Sequence, residues 1–271
     1  MDSLRPRARR CAEGALFVGA WAALGAALRL QANAYLLLGV PLTWAFQKFV
    51  RQEPVRALWV REAPRLRVEV RGLLWALALG AVPLWSFVSA ARRGETAIAL
   101  WCLAAVLGAA AAAYALQNAR RETVKAVAAC AATAGTIGVA LMAGSAALKH
   151  AVTGAPLHFL PRIFGLSLAQ YFPALFILEE VAFRGALDAH LHHPGEPHPW
   201  LSALLVSSLW GLWHLPIVPH ADPLKTALLL VLVHCAIGVP LSFYWRKSGN
   251  LAVTSFSHAL IDAARNALGL F

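Results

Sequence analysis

Two adjacent carboxylates, Glu179 and Glu180, stand in an otherwise apolar stretch of the chain and are followed by Arg184. A charged side chain at membrane depth costs roughly 2.5–3.5 kcal/mol on insertion, so a pair of them usually marks a functional site. The same part of the chain holds three further ionisable residues in apolar surroundings, which are His214, His258 and Asp262. Carboxylates and imidazoles are the usual general acids and bases. The set predicts acid–base chemistry inside a lipid bilayer.

The spacing of the first three residues gives the two carboxylates different surroundings. Glu180 and Arg184 lie one helical turn apart and can form an ion pair, whereas Glu179 points about 100° away. Because the two carboxylates have different partners, their proton affinities differ, and the one without a cation suits general acid or base work. A buried Glu–Arg clamp that only fixes helix packing explains the same residues equally well.

Each histidine segment is ambiguous when taken singly. His214 closes an apolar run just before Pro216, where a lone histidine is more often a hydrogen-bonded packing residue. His258 and Asp262 lie one helical turn apart on a shared face. At that spacing the carboxylate can fix the imidazole tautomer, or both groups can donate to an oxyanion. The same pair also suits simple stapling of a helix.

The composition is that of an integral membrane protein. Hydrophobic residues make up 59% of the 271 residues and charged residues only 14%, against about 25% in soluble domains. The apolar runs are long and continuous, which indicates helices and not the alternating strands of a barrel. The net charge of +11 comes from basic residues clustered between the runs, which follows the positive-inside rule. We therefore expect no nucleic-acid binding.

Nine apolar runs predict an all-α, polytopic membrane helix bundle with eight or nine transmembrane helices. The run at 34–50 is short and ends with Gln47 and Lys48, so its crossing is open. With nine spans and a cytoplasmic N-terminus, most Lys and Arg fall on the cytoplasmic side, and the first run is a retained anchor. The runs lie at 12–28, 34–50, 72–91, 96–116, 123–148, 163–183, 199–219, 224–245 and 250–268.

The ionisable residues divide the chain into two parts. Residues 1–160 are rich in Ala and Gly, which allow helices to approach closely, and we expect scaffold helices there. Residues 161–271 hold nearly all of the ionisable groups within apolar runs and form the predicted catalytic domain. The basic segment 51–71 of the first part is interpreted as an ordinary cytoplasmic loop, with an amphipathic helix on anionic headgroups as the alternative.

Taken together, the three motifs are far more specific than any one of them. Glu-Glu-x-x-x-Arg at 179–184, aromatic-x-x-x-His at 210–214 and His-x-x-x-Asp at 258–262 occur in that order, each in its own apolar run. This set resembles the CAAX-protease-and-bacteriocin-processing (CPBP) family, relatives of the prenyl-protein endoprotease of the endoplasmic reticulum. The resemblance covers about 165–268. It implies an intramembrane endopeptidase of the glutamic type.

The resemblance also implies a role for each motif residue. Glu179 and His214 would activate a water, and His258 and Asp262 would stabilise the tetrahedral oxyanion. Glu180 and Arg184 would order the site. Two positions depart from the family pattern. Trp210 replaces a phenylalanine, which should be harmless for packing. Asp262 replaces an asparagine, and an ionised aspartate would repel an oxyanion, so it must either be protonated or serve to orient His258.

Cofactor and substrate follow from the resemblance with alternatives left open. The family has been described both as metal-dependent and as using a glutamate-activated water. We favour a site without a metal, and the alternative is zinc held by Glu179, His214 and His258. The substrate would be a membrane-anchored protein or peptide: a C-terminal sorting tail as in the myxosortase-like group, a CAAX-like tail or a bacteriocin. The Ala- and Arg-rich composition favours a GC-rich bacterial genome, and a bacterial protein of this kind is expected in the inner membrane.

A non-catalytic membrane protein of the same fold, either a transporter or an immunity or scaffold protein, is the second hypothesis. Against a transporter, the chain has no repeated halves.

The histidine-rich segment 188–198 is interpreted as a solvated connection and not a metal loop, and His234 as a packing or hydrogen-bonding residue. The sequence gives no indication of oligomeric state. A site shared by Glu179 and His214 requires the Glu179 helix to extend to about residue 190 or the His214 helix to begin near 204.

Overall fold

The computed structural model describes residues 4–62, 64–67, 69–218 and 221–270, with side chains from residue 7 onward. The described chain forms nine continuous helices and no strand, which confirms the predicted all-α class. Each helix coincides with one of the nine apolar runs. The helices are α1 (Leu4–Ala27), α2 (Ala32–Ala45, continued by a π segment Phe46–Arg51), α3 (Val70–Arg92), α4 (Thr96–Gln117), α5 (Arg121–Thr153), α6 (Pro161–Leu191), α7 (Pro199–Trp213), α8 (Pro223–Ser248) and α9 (Leu251–Ala267).

Six of these helices, α3 to α8, are long and apolar enough to cross a membrane, where α7 is counted with the 3₁₀ turn Leu215–Ile217 that follows it. The chain is therefore a polytopic membrane helix bundle. The remaining three helices, α1, α2 and α9, do not meet the same measure of length and apolarity. A total of eight or nine crossings remains a prediction.

Helix α6 lies at the centre of the bundle and bears the glutamate pair. Its middle, from Phe176 to Asp188, winds as a π-helix and is buried almost throughout. It packs against α2, α4, α7 and α9. π-helical segments occur frequently at functional sites, because they shift side chains out of the ordinary helical register. The helix continues to Leu191. Of the two arrangements that would let Glu179 and His214 share a site, the structure therefore has the extended Glu179 helix.

The turn between α8 and α9 sets the position of His258 in the bundle. Gly249 ends α8 with a φ of +61°, a left-handed conformation that glycine adopts without strain. Asn250 then caps α9, because its side chain accepts a hydrogen bond from the backbone N–H of Ala252 at 3.0 Å. The short, capped turn holds the start of α9 firmly, and His258 follows two turns later.

The segment between α2 and α3 packs onto this turn and does not lie on the surface as an amphipathic helix. Its described residues contain a single 3₁₀ turn, Val55–Leu58, and the remainder is irregular, with turns and no further helix. The backbone N–H of Arg61 donates to the carbonyl of Gly249 at 2.7 Å, and that of Leu251 donates to the carbonyl of Trp59 at 2.9 Å. The loop therefore closes one end of the bundle, which we call the loop end. Ala63 and Val68 of the predicted basic segment lie outside the described residues.

The N-terminal helices support α7 at the opposite end of the bundle. Trp21 is fully buried, and its indole N–H donates to the carbonyl of Tyr35 at 2.9 Å. The hydroxyl of Tyr35 in turn donates to the carbonyl of Trp213 at 2.8 Å. Carbonyls in the last turn of a helix have no partner within the helix, so this bond fixes the end of α7 from which His214 emerges. The division into scaffold and catalytic parts is itself still a prediction.

Candidate active site

Three helices bring the motif residues to one place in the bundle. Helix α6 supplies Glu179, Glu180 and Arg184, and the end of α7 supplies Trp210 and His214. The indole of Trp210 lies between them, since it contacts Glu179 and Arg184 and its ring centroid is 5.0 Å from that of His258 on α9. Segments that are far apart in sequence thus form one buried polar cluster, with α8 along its side.

Glu179 and His214 face each other across a short gap. Glu179 is 6% exposed, and its Oε2 atom accepts a hydrogen bond from the indole N–H of Trp210 at 3.1 Å. The same Oε2 atom lies 4.0 Å from Nε2 of His214. Nδ1 of His214 lies 2.9 Å from the carbonyl of Trp210, which can only accept, so Nδ1 bears the proton and Nε2 of the neutral ring is an acceptor.

This gap is too long for a direct hydrogen bond and has the length that a single bridging molecule spans. Both facing atoms, the Glu179 carboxylate oxygen and the His214 Nε2, are acceptors. A water between them would therefore donate one O–H to each. Both groups would draw protons from the same oxygen atom, which is what the activation of a nucleophilic water requires.

Glu180 contacts a different set of residues from Glu179. Its side chain is fully buried, and its Oε1 atom lies 3.0 Å from Nδ1 of His258. Its Oε2 atom lies 3.7 Å from Nε of Arg184, one turn further along α6. The spacing in the sequence predicts this ion pair. Because Glu180 accepts from Nδ1, the Nε2 atom of His258 is the one left to meet a ligand.

Arg184 is held by charge and by an aromatic face. Its side chain is fully buried, and its guanidinium carbon lies 4.4 Å from the centroid of the Trp210 ring. Its nitrogens make no hydrogen bond within the described residues. The ion pair with Glu180 and the cation–π contact with Trp210 therefore fix its position. Arg184 links the first motif to the second, which agrees with an ordering role.

Asp262 is paired with Arg265 in the structure, and Nδ1 of His258 has a different partner. The Nδ1 atom of His258 is occupied by Glu180, which comes from a different helix. The carboxylate of Asp262 instead pairs with Arg265 on its own helix, with 3.3 Å between Oδ1 and Nη1. A carboxylate from outside α9 therefore binds the Nδ1 atom of His258, and both roles expected for Asp262 stay predictions.

His234 lies in the cluster although no motif includes it. Its ring centroid is 4.3 Å from that of His214 and 4.5 Å from that of Trp210. Its Nδ1 atom lies 2.7 Å from the carbonyl of Leu230, so His234 is a hydrogen-bonding residue, as predicted. Its place beside His214 depends on how α7 and α8 pack. Nothing in the spacing of the chain indicates this neighbour.

The histidine-rich segment lies at the loop end of the bundle and connects elements there. Ring nitrogens of His190 and His192 lie 2.9 Å from Glu13 and 2.7 Å from Glu196, respectively. Burial alone would raise the pKa of Glu196, but hydrogen bonds from Ser202 and His192, together with the charges of His192 and Arg246, lower this pKa below its ordinary value. The segment is therefore a hydrogen-bonded connection that tethers α1 and α7.

The described residues include no group of three or more His, Cys, Asp or Glu side chains arranged to hold a metal ion. Of the alternative zinc ligands, Glu179 and His214 face each other at 4.0 Å, and His258 directs Nδ1 at Glu180. The presence or absence of a metal at this site stays a prediction.

One comparison with known proteins finds a match in the later part of the chain. Residues 161–264 match the family model of the type II CAAX prenyl endopeptidases, described as Rce1-like. The match begins at the first residue of α6 and ends within α9, so it covers all four helices that meet at the site. No curated protein and no solved structure matches the chain. The residues that carry the three motifs in one buried cluster thus match an Rce1-like domain, and the type II CAAX prenyl endopeptidases are a family of membrane endopeptidases.

Proposed function

We propose that the protein is an intramembrane endopeptidase in which Glu179 and His214 activate a water molecule. The observation that supports this most directly is the 4.0 Å gap between Oε2 of Glu179 and Nε2 of His214, both of which are acceptors. The gap lies within the domain that matches a peptidase family. A buried carboxylate and a neutral imidazole that share one small space form a general base for hydrolysis.

In the proposed reaction, the water oxygen attacks the carbonyl carbon of the scissile peptide bond while Glu179 takes one of its protons. The carbonyl oxygen becomes an oxyanion, and the C–N bond then breaks as the proton passes from Glu179 to the leaving nitrogen. His214 accepts the second hydrogen bond of the water and orients it. The products are a new carboxyl group and a new amine, so the atoms and protons balance.

His258 is the proposed oxyanion donor. Its Nδ1 atom is directed at Glu180, which leaves Nε2 for the substrate. When the ring is protonated, Glu180 forms a charge-assisted hydrogen bond with it, and Nε2–H is free to donate to the oxyanion. Arg184 neutralises Glu180 from the other side. Glu180 and Arg184 thereby act on the reaction through the position and charge of His258.

The proposed substrate is a membrane-associated protein or peptide: a C-terminal sorting tail, a CAAX-like tail or a bacteriocin. A lateral cleft of about 390 Å³ supports a substrate that arrives from the lipid phase, because its lining is almost wholly apolar. Two of its lining residues, Phe172 and Phe256, stand on α6 and α9 shortly before Glu179 and His258. A chain held in this cleft would lie against the two helices that bear Glu179 and His258.

The test uses purified protein in detergent with a membrane-anchored reporter peptide. We expect cleavage by the wild type, and a loss of about 1,000-fold in kcat in both Glu179→Gln and His214→Ala. Matched controls are Glu122→Gln and His193→Ala, which change exposed residues away from the site. Unchanged cleavage in both site variants would overturn the proposal. Loss of activity on treatment with a chelator, with recovery on adding zinc, would overturn the metal-free form of it.

A further inference from the structure

The acidic side chain of Asp262 poses an electrostatic problem for the proposed reaction. It lies one turn from His258 on α9 and is only 9% exposed. An ionised carboxylate at this depth repels an oxyanion developing near His258, and this repulsion is strong in surroundings of low polarity. An asparagine at the same position would bring no such charge. The site therefore needs a means of tolerating the acid.

Arg265 stands where it can provide that means. His258, Asp262 and Arg265 follow the i, i+4, i+7 spacing of one helix face. Nη1 of Arg265 lies 3.3 Å from Oδ1 of Asp262, and its side chain is 37% exposed. The guanidinium carbon also lies 5.9 Å from the centroid of the Tyr171 ring on α6. Arg265 is thus positioned by contacts to both helices that bound the site.

We propose that Arg265 is a charge-compensating positioning residue of the active site, which neutralises Asp262 so that negative charge can develop beside it. The inference rests on the proposed peptidase function. Arg265 acts through Asp262 and is not assigned a contact with the substrate. In this arrangement the chain tolerates an acid at the third motif, because a cation one turn further along the same helix face cancels its charge.

A purely structural role for Arg265 makes a different prediction. If the arginine only fastened α9 to α6 through Asp262 and Tyr171, its loss would reduce the amount of folded protein. The kcat per folded molecule would then be unaffected. Charge compensation instead predicts a fall in kcat, and it predicts that this fall depends on whether residue 262 bears a charge.

The test measures kcat, KM and thermal stability for four proteins in the same detergent: the wild type, Asp262→Asn, Arg265→Gln and the double variant. We expect Arg265→Gln to lower kcat on the order of 100-fold at a nearly constant KM. The same substitution should lower kcat less than about threefold when it is made in Asp262→Asn, because an asparagine needs no counter-ion. Arg265→Lys, which keeps the charge, should retain most of the activity of the wild type.

Three outcomes would overturn the inference. One is full activity of Arg265→Gln, and another is an equal loss in the presence and absence of Asp262. The third is a loss explained entirely by a lower content of folded protein. Failure of the proposed function is distinguishable from all of these, because the wild type itself would then leave the reporter uncleaved.

Discussion

Trp210 contributes a contact that a phenylalanine at this position cannot make. Its indole N–H donates to Glu179, while its ring faces Arg184 and meets the ring of His258 edge-on. The expectation that tryptophan here is harmless for packing is incomplete, since the side chain also holds the carboxylate of the proposed base. A hydrogen bond to a charged group contributes about 1.5–3 kcal/mol.

We predict that Trp210→Phe lowers kcat about 10-fold with little change in KM, because the ring remains but the hydrogen bond that orients Glu179 is lost. Trp213→Phe is the matched control. Trp213 is fully buried in the same turn of α7, and its indole nitrogen has no hydrogen-bond partner within the described residues. Steady-state kinetics of both variants provide the measurement. Equal losses in the two variants would show that only aromatic packing matters.

At the residue scale, the sequence predicts what lies within one helix and misses what helices bring together. The pair Glu180 and Arg184 follows from helical spacing alone. The partner of His258 does not, because Glu180 comes from a helix more than seventy residues earlier. His234 meets His214 only through the packing of α7 against α8. The assigned catalytic roles remain predictions that kinetics must test.

At the scale of the elements, α6 is in close contact with the basic segment 51–71. The backbone of Leu58 lies directly against Gly185, where an added Cβ atom would overlap its carbonyl. Arg51 donates from Nη1 to the carbonyl of Gly185 at 2.9 Å. Glycine at this position therefore allows the loop to reach the helix that bears Glu179. The loop closes the bundle just beyond the site.

We predict that Gly185→Ala lowers the free energy of unfolding by about 1–3 kcal/mol, because the backbone of Leu58 has to move. Gly165→Ala is the control on the same helix, where an added Cβ meets nothing within 4 Å. Thermal melting of both variants in detergent provides the comparison. Equal melting temperatures for Gly185→Ala and the wild type would show that the loop is not packed as described.

The existence of the helices was predictable, and their detailed shape was not. Long apolar runs force the backbone to satisfy its own hydrogen bonds, so each of the nine runs became a helix. The π-helical middle of α6 and its extension to Leu191 depend on tertiary packing around the glutamate pair. The return of the loop onto Gly249 depends on hydrogen bonds between segments far apart in sequence. Hydrophobic periodicity in the sequence indicates neither the shape of α6 nor the return of the loop.

For the molecule as a whole, basic residues gather at the loop end of the bundle. This end holds a cleft of about 450 Å³ whose lining includes four arginines, Arg51, Arg56, Arg61 and Arg246, together with Glu53, Glu62 and Asp188. His214 emerges towards the opposite end, where α7 finishes. The protein is a multi-pass integral membrane protein. The positive-inside rule supports the proposal that the loop end is cytoplasmic and that the N-terminus lies on the same side.

The central claim is that Glu179 and His214 act together on one water molecule. A double-mutant cycle tests it most directly, with single-turnover cleavage of the membrane-anchored reporter by the wild type, Glu179→Gln, His214→Ala and the double variant. If the two residues act as a unit, the double variant loses no more than the more damaging single change, about 1,000-fold. A double variant whose loss equals the product of the two single losses would contradict a shared water, as would wild-type cleavage by either single variant.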